Sequence, residues 1–220
     1  MLIKLKVSEV LNGVILLVFK NAYEAGMSMC RIQEFYESPS NKTYGKYFSL
    51  EDYMDFYTKR QKCDSFDYMD SYAGYNVPGK VFIKWLDMYR KKKDVRDKEL
   101  AVINAVFSKG DRKKIKQSYI IAVYANDKQL NANLNHEISH AMFSFDSEYH
   151  RSCMKLIKSI RPKTMERHRK FLFKNYCRGI WNDEIQAYSS TGGYSSIRGR
   201  KDFEKNFRFH LAKLKKLEGK

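Results

Sequence analysis

Between residues 7 and 37 apolar side chains recur at helical spacing, Val10, Val14, Leu17 and Val18 and then Ala22, Ala25, Ile32 and Phe35, which predicts a helix broken near Gly26. The stretch "ESPSNKTYGKYF" follows, with Pro39, Ser40, Asn41 and Gly45 as turn formers, and Ser49 is placed to cap a second helix, "LEDYMDFYTKRQ". A further irregular segment, "DSYAGYNVPGKVF", leads into "FIKWLDMYRKKK", a helix whose basic end suits the negative end of the helix dipole. The period changes at "QSYIIAVYAND". Tyr119 to Tyr124 run without helical gaps and are mostly β-branched or aromatic, which predicts a strand, with a polar loop at Asn126 to Asn133. Helical spacing returns in "NHEISHAMF", predicting a helix from Asn135 to about Ser144. The expected class is α+β, mainly helical with a small sheet next to that helix. One domain over residues 1–220 is expected, with 1–100 mostly helical and 101–220 carrying the strand, the histidine helix and a later helix near residue 184.

Composition supports a folded chain, since sixteen Tyr, fourteen Phe and two Trp supply large buried areas and only three Pro interrupt them. Charge is divided unevenly. Residues 1–80 hold ten Lys/Arg against ten Asp/Glu, so the whole formal charge of +17 arises from residues 81–220. A basic surface attracts nucleic acid, anionic membrane or an acidic partner without choosing among them. Cys30, Cys63, Cys153 and Cys177 are widely spaced and form no CxxC pair, which fits reduced thiols in a cytoplasmic compartment. The apolar run "GVILLVF" is too short to span a membrane and reads as a buried first helix or strand.

Candidate chemistry concentrates in "NHEISHAMF". On a helix His136 and His140 lie one turn apart on one face, with Glu137 beside them, which is the H-E-x-x-H signature of zincins. Shuffling a chain with five His and twelve Glu produces this pattern about 0.006 times, so composition alone does not account for it. A catalytic zinc needs a third protein ligand. Asp146 stands six residues past His140, the metzincin distance, but Phe143 occupies the place where that arrangement needs glycine, and Asp146 also suits a helix cap. His150 is a further candidate, in a basic helix. Glu184 in "WNDEIQAYSSTGG" resembles the gluzincin arrangement, in which a glutamate on a later helix completes the site and small residues such as Ala187 permit close approach.

Together "RIQEFYESP", "NHEISHAMF" and "DEIQAYSSTGG" resemble a family of zincin-like proteins of phage and bacterial sequences whose later motifs read HExxHA and DExQAY. The resemblance implies a zincin-like, gluzincin-type domain with His136, His140 and Glu184 as Zn²⁺ ligands and Glu137 as general base, and it supplies no substrate. "RIQEFYES" by itself reads as an amphipathic helix end.

The expected function is therefore a zinc-dependent hydrolase, a peptidase acting on a peptide or protein substrate, with the basic surface able to steer acidic ones. Tyr188 and Tyr194 are candidate oxyanion donors, and Asp183 a candidate for orienting a ligand histidine. The rival is a nucleic-acid- or anion-binding protein with a structural metal site. Its support is the span from His150 to Gly179, where ten Lys/Arg face one Glu and "KTMERHRKFLFKNYCR" interleaves cations with Phe171, Phe173 and Tyr176. An amphipathic helix with those aromatics in the core is the preferred reading of that stretch.

Overall fold

The computed structural model describes residues 5–192 and 200–218. The chain forms two compact units, Met1–Leu130 and Asn131–Lys220.

The first unit is built on a four-stranded mixed sheet. Its strands are β1 (Lys6–Leu11), β2 (Val14–Phe19), β3 (Tyr75–Pro78) and β4 (Tyr119–Tyr124), in the order β1-β2-β4-β3. β1 and β2 form an antiparallel hairpin, β2 runs parallel to β4 with Val14 opposite Tyr119 and Phe19 opposite Tyr124, and β3 closes the other edge antiparallel to β4. β4 occupies the residues expected of it. The helix expected over 7–37 is corrected: residues 6–19 are the hairpin, and only α1 (Ala22–Glu37) is helical. Asn12 and Gly13 make the turn, with Gly13 at φ 79° and its N–H bonded to Glu9 Oε1 at 2.7 Å. The run VILLVF is almost wholly buried because β2 is paired on both sides, and a doubly covered strand reads as a continuous apolar run.

Asn21 caps α1 through the Glu24 N–H at 2.9 Å. The helix passes Gly26 without a break, since the missing Cβ there lets Met69 approach. Ser49 caps α2 (Leu50–Gln61), bonding the Asp52 N–H at 3.0 Å. The segment expected to be irregular before α3 (Gly79–Lys91) contains the edge strand β3, whose Asn76 N–H is taken by Gln33 Oε1 at 3.1 Å. α4 (Asp97–Phe107) and the short α5 (Arg112–Lys116) lead back to β4. "RIQEFYES" is structural here. Arg31 is fully buried and bonds Glu99 through Nε at 2.7 Å and Nη2 at 2.6 Å, while its Nη1 reaches Asp94 Oδ2 at 2.6 Å.

The second unit is helical: α6 (Leu130–Phe145, its first residue closing the first unit), α7 (Ser147–Ser159), α8 (Pro162–Asn175), α9 (Trp181–Thr191) and α10 (Arg200–Glu218). α6 contains the expected helix and begins five residues earlier. α9 packs against α7, α8 and α10, around Ile157, Leu172, Ile185 and Phe203. Asp146 caps α7, with Oδ1 accepting from the N–H groups of Glu148 at 2.9 Å and Tyr149 at 3.0 Å. α8 buries only His168 and Leu172. Phe171 and Phe173, expected in the core, are instead 44% and 72% exposed.

Candidate metal centre

α6 and α9 bring three donors together. His136 and His140 lie one turn apart on α6, Glu184 lies in the first turn of α9, and one ligand atom from each falls within 4.8 Å of the others. His140 and Glu184 are buried and His136 is half-buried.

Hydrogen bonds on the far sides of the rings set the tautomers. His140 Nδ1 lies 2.8 Å from Asp183 Oδ1, so a proton there donates to the carboxylate. His136 Nδ1 lies 3.2 Å from Thr191 Oγ1, which donates its own proton to the Ala187 carbonyl at 2.7 Å and is left to accept. Both Nε2 atoms therefore turn inward, and they stand 3.2 Å apart. A tetrahedral ion with metal–nitrogen bonds of about 2.0–2.1 Å holds two nitrogens about 3.3–3.4 Å apart, so this pair is spaced for one ion. Glu184 Oε1 is 3.7 Å from His140 Nε2, and its Oε2 is buried without a hydrogen-bond partner. An imidazole pair and a buried, under-bonded carboxylate are the donor chemistry of a divalent transition-metal ion, and these residues fit zinc.

Electrostatics point the same way. Burial opposes charging His140, but Asp183, Glu184 and Glu137 around it outweigh that and raise its pKa to about 10. Desolvation of the half-buried His136 ring, together with its neighbour His140, holds it well below the usual imidazole range. Burial pushes Glu184 up to about 8, against the pull of His140, and the Tyr176 hydroxyl bonds its carboxylate. A pocket holding three carboxylates is one in which a cation replaces a proton with gain.

No family model, curated protein or solved structure matches the chain.

The remaining candidates fall as follows. Glu137 is buried, with its charge felt at both His140 and Glu184. The Tyr188 ring lies 4.7 Å from that of His136, and its hydroxyl is 3.1 Å from the Tyr176 hydroxyl. Tyr194 lies outside the described residues. Asp146 is not brought to the centre; beyond its cap, its Oδ2 meets His210 Nδ1 at 2.8 Å. That pair and Glu148 form a second cluster of metal-ligand types, but Glu148 holds Lys213 at 2.5 Å and Asp146 is already bonded through both oxygens. His150 bonds the Phe143 carbonyl through Nδ1 at 3.0 Å and stacks on the Phe143 ring.

Sequence reasoning missed Thr191, Gln186 and Tyr176. Gln186 Nε2 donates to Asp183 Oδ1 at 3.0 Å and to the Ser139 carbonyl at 3.2 Å, while its Oε1 accepts from the Tyr149 hydroxyl at 2.8 Å. It thereby holds the carboxylate that holds His140. The signal was present in the helical spacing of positions 184, 188 and 191, which places Glu184, Tyr188 and Thr191 on one face of α9.

Proposed function

We propose that this protein is a zinc-dependent hydrolase of the zincin-like, gluzincin type, acting on peptide bonds. The observation that carries the reading is the convergence of His136, His140 and Glu184 on one point, with Glu137 buried beside them. The order of strand, loop and H-E-x-x-H helix in the chain agrees with it. Zinc bound there would acidify a water molecule and polarise a substrate carbonyl. Glu137 is the proton carrier, its carboxylate taking the water proton and returning it to the leaving amine. Asp183 holds the His140 Nδ1 proton and Thr191 the His136 Nδ1 proton, so both Nε2 lone pairs stay available to the ion. Tyr188 fixes the His136 ring by contact, and Tyr176 steadies Glu184.

The test is zinc stoichiometry by elemental analysis together with hydrolysis of an unbiased peptide library. Glu137→Gln is expected to keep zinc and lose about 10²- to 10⁴-fold in rate, as removal of a general base does. His136→Ala and Glu184→Ala are expected to lose the metal. Wild-type protein that takes up no zinc, or Glu184→Ala that retains it fully, overturns the assignment.

A further inference from the structure

We propose that the face of α8 around Phe171 is the rim of the metal centre that selects substrate, and that it recognises acidic polypeptide segments carrying an apolar side chain. The inference rests on the hydrolase reading above.

Phe171 joins two environments. It is 44% exposed, yet its ring meets that of Tyr188 edge-on at 6.1 Å and that of Tyr176 at 6.4 Å. Tyr188 in turn packs on His136, and the Tyr176 hydroxyl bonds Glu184. One aromatic side chain therefore touches both solvent at α8 and the residues that touch the candidate ligands. A large apolar ring left half in water, one contact removed from a candidate ligand, offers an apolar side chain of a bound polypeptide a surface to pack on.

Charge around that ring has one sign. At helical spacing Arg167 and Lys174 flank Phe171, and α8 also carries Lys163, Arg169 and Lys170 against a single carboxylate, Glu166, which is engaged by Lys170 at 3.2 Å. Residues 131–220 hold nineteen Lys/Arg and nine Asp/Glu. Three of those nine, Glu137, Asp183 and Glu184, are turned into the centre rather than to solvent. The outer rim is thus positive while the interior is negative. An acidic chain is drawn to the rim, and cation exchange with the interior is left to the metal.

Single-stranded nucleic acid fits the cations but not the rings. Phe171 and Phe173 are two residues apart, about 200° round the helix, so they cannot stack successive bases of one strand. Only Phe171 is tied to the centre.

The experiment uses the full chain, zinc-loaded and carrying Glu137→Gln to prevent turnover, with fluorescence anisotropy of three labelled probes. These are an Asp/Glu-rich peptide containing one leucine, a charge-neutral peptide with the same leucine, and single-stranded DNA of matched charge. The acidic peptide is expected to bind about tenfold tighter than the neutral one, and Arg167→Glu with Lys174→Glu to remove that advantage. Phe171→Ala is expected to weaken both peptides without changing zinc content. Lys215→Glu with Lys216→Glu makes the same change in net charge on α10 and is expected to move binding less than about twofold if recognition is local. Equal binding of the two peptides, equal effects of the two charge reversals, or tighter binding of DNA than of the acidic peptide overturns the proposal. Cleavage by the wild-type protein separates the two claims. Neutral and acidic peptides cut alike sinks the rim, whereas no peptide cut while the anisotropy pattern holds sinks the hydrolase reading and leaves the rim standing.

Discussion

Replacing Asp183 by Asn changes one charge in the centre and almost no volume. In the native protein Asp183 Oδ1 accepts from His140 Nδ1 at 2.8 Å and from Gln186 Nε2 at 3.0 Å. The Gln186 donor keeps an amide oxygen facing the same way in Asp183→Asn, so the ring should hold its orientation. The carboxylate charge is lost, and Asp183 is the largest of the influences that raise His140. A hydrogen bond to a charged group contributes about 1.5–3 kcal/mol and a neutral one about 0.5–1.5 kcal/mol, so the substitution removes about 1–2 kcal/mol from the ligand's support. On the proposed zinc reading, that corresponds to roughly five- to thirtyfold weaker zinc binding, overlapping the about 10- to 100-fold range of outer-shell changes. The assay is competition of the purified protein against a chromophoric chelator at pH 7, with wild type, Asp183→Asn and Glu184→Ala compared. Zinc affinity within twofold of wild type would refute the reasoning, because the 2.8 Å contact would then do nothing for the ligand. Loss as complete as in Glu184→Ala would refute it differently, by making Asp183 a ligand.

Two further predictions concern the first unit. Glu99→Gln leaves the fully buried Arg31 guanidinium short of its main counter-charge and is expected to destabilise by about 3–5 kcal/mol. Urea denaturation followed at Trp85 in a Trp181→Phe background measures it, and a loss below about 1 kcal/mol contradicts the buried pair's role. Glu34 is held above the usual carboxylate range by burial, against hydrogen bonds from Ser38, Tyr53 and Tyr72. Its folded pKa exceeds its unfolded one, so its protonated form favours folding; that contribution is present below about pH 4.5 and is lost as pH rises toward the folded value. Glu34→Gln should therefore match wild type at pH 4 and gain on it steadily at higher pH in the same denaturation assay, and a pH-independent difference would count against it.

Much of the architecture follows from local pattern. Tyr119–Tyr124 is a strand whose six residues are continuously apolar or aromatic, and Leu50–Gln61 is a helix that starts where Ser49 can cap it. His136 and His140 fall on one face of a helix because they are four residues apart, so their placement side by side needs no tertiary information. Residues 6–19 are different. Val10, Val14, Leu17 and Val18 satisfy a helical period and a buried strand equally well, and the choice is made by hydrogen bonds to β4, about a hundred residues away. Asn12-Gly13 was the local clue to a hairpin, but a turn signal states where the chain reverses and not what it pairs with. The same limit applies to α8. Its aromatics and cations are interleaved in sequence, and whether a ring enters the core depends on which face a neighbour covers; α9 covers Leu172 and leaves Phe173 in solvent. Glu184 was legible only as a carboxylate on a later helix, one of three candidates. Its place beside His136 and His140, the tie from Asp183 to His140, and the exclusion of Asp146 by its own cap are properties of helix packing, because donors forty-four residues apart converge only when two helices bury a common face.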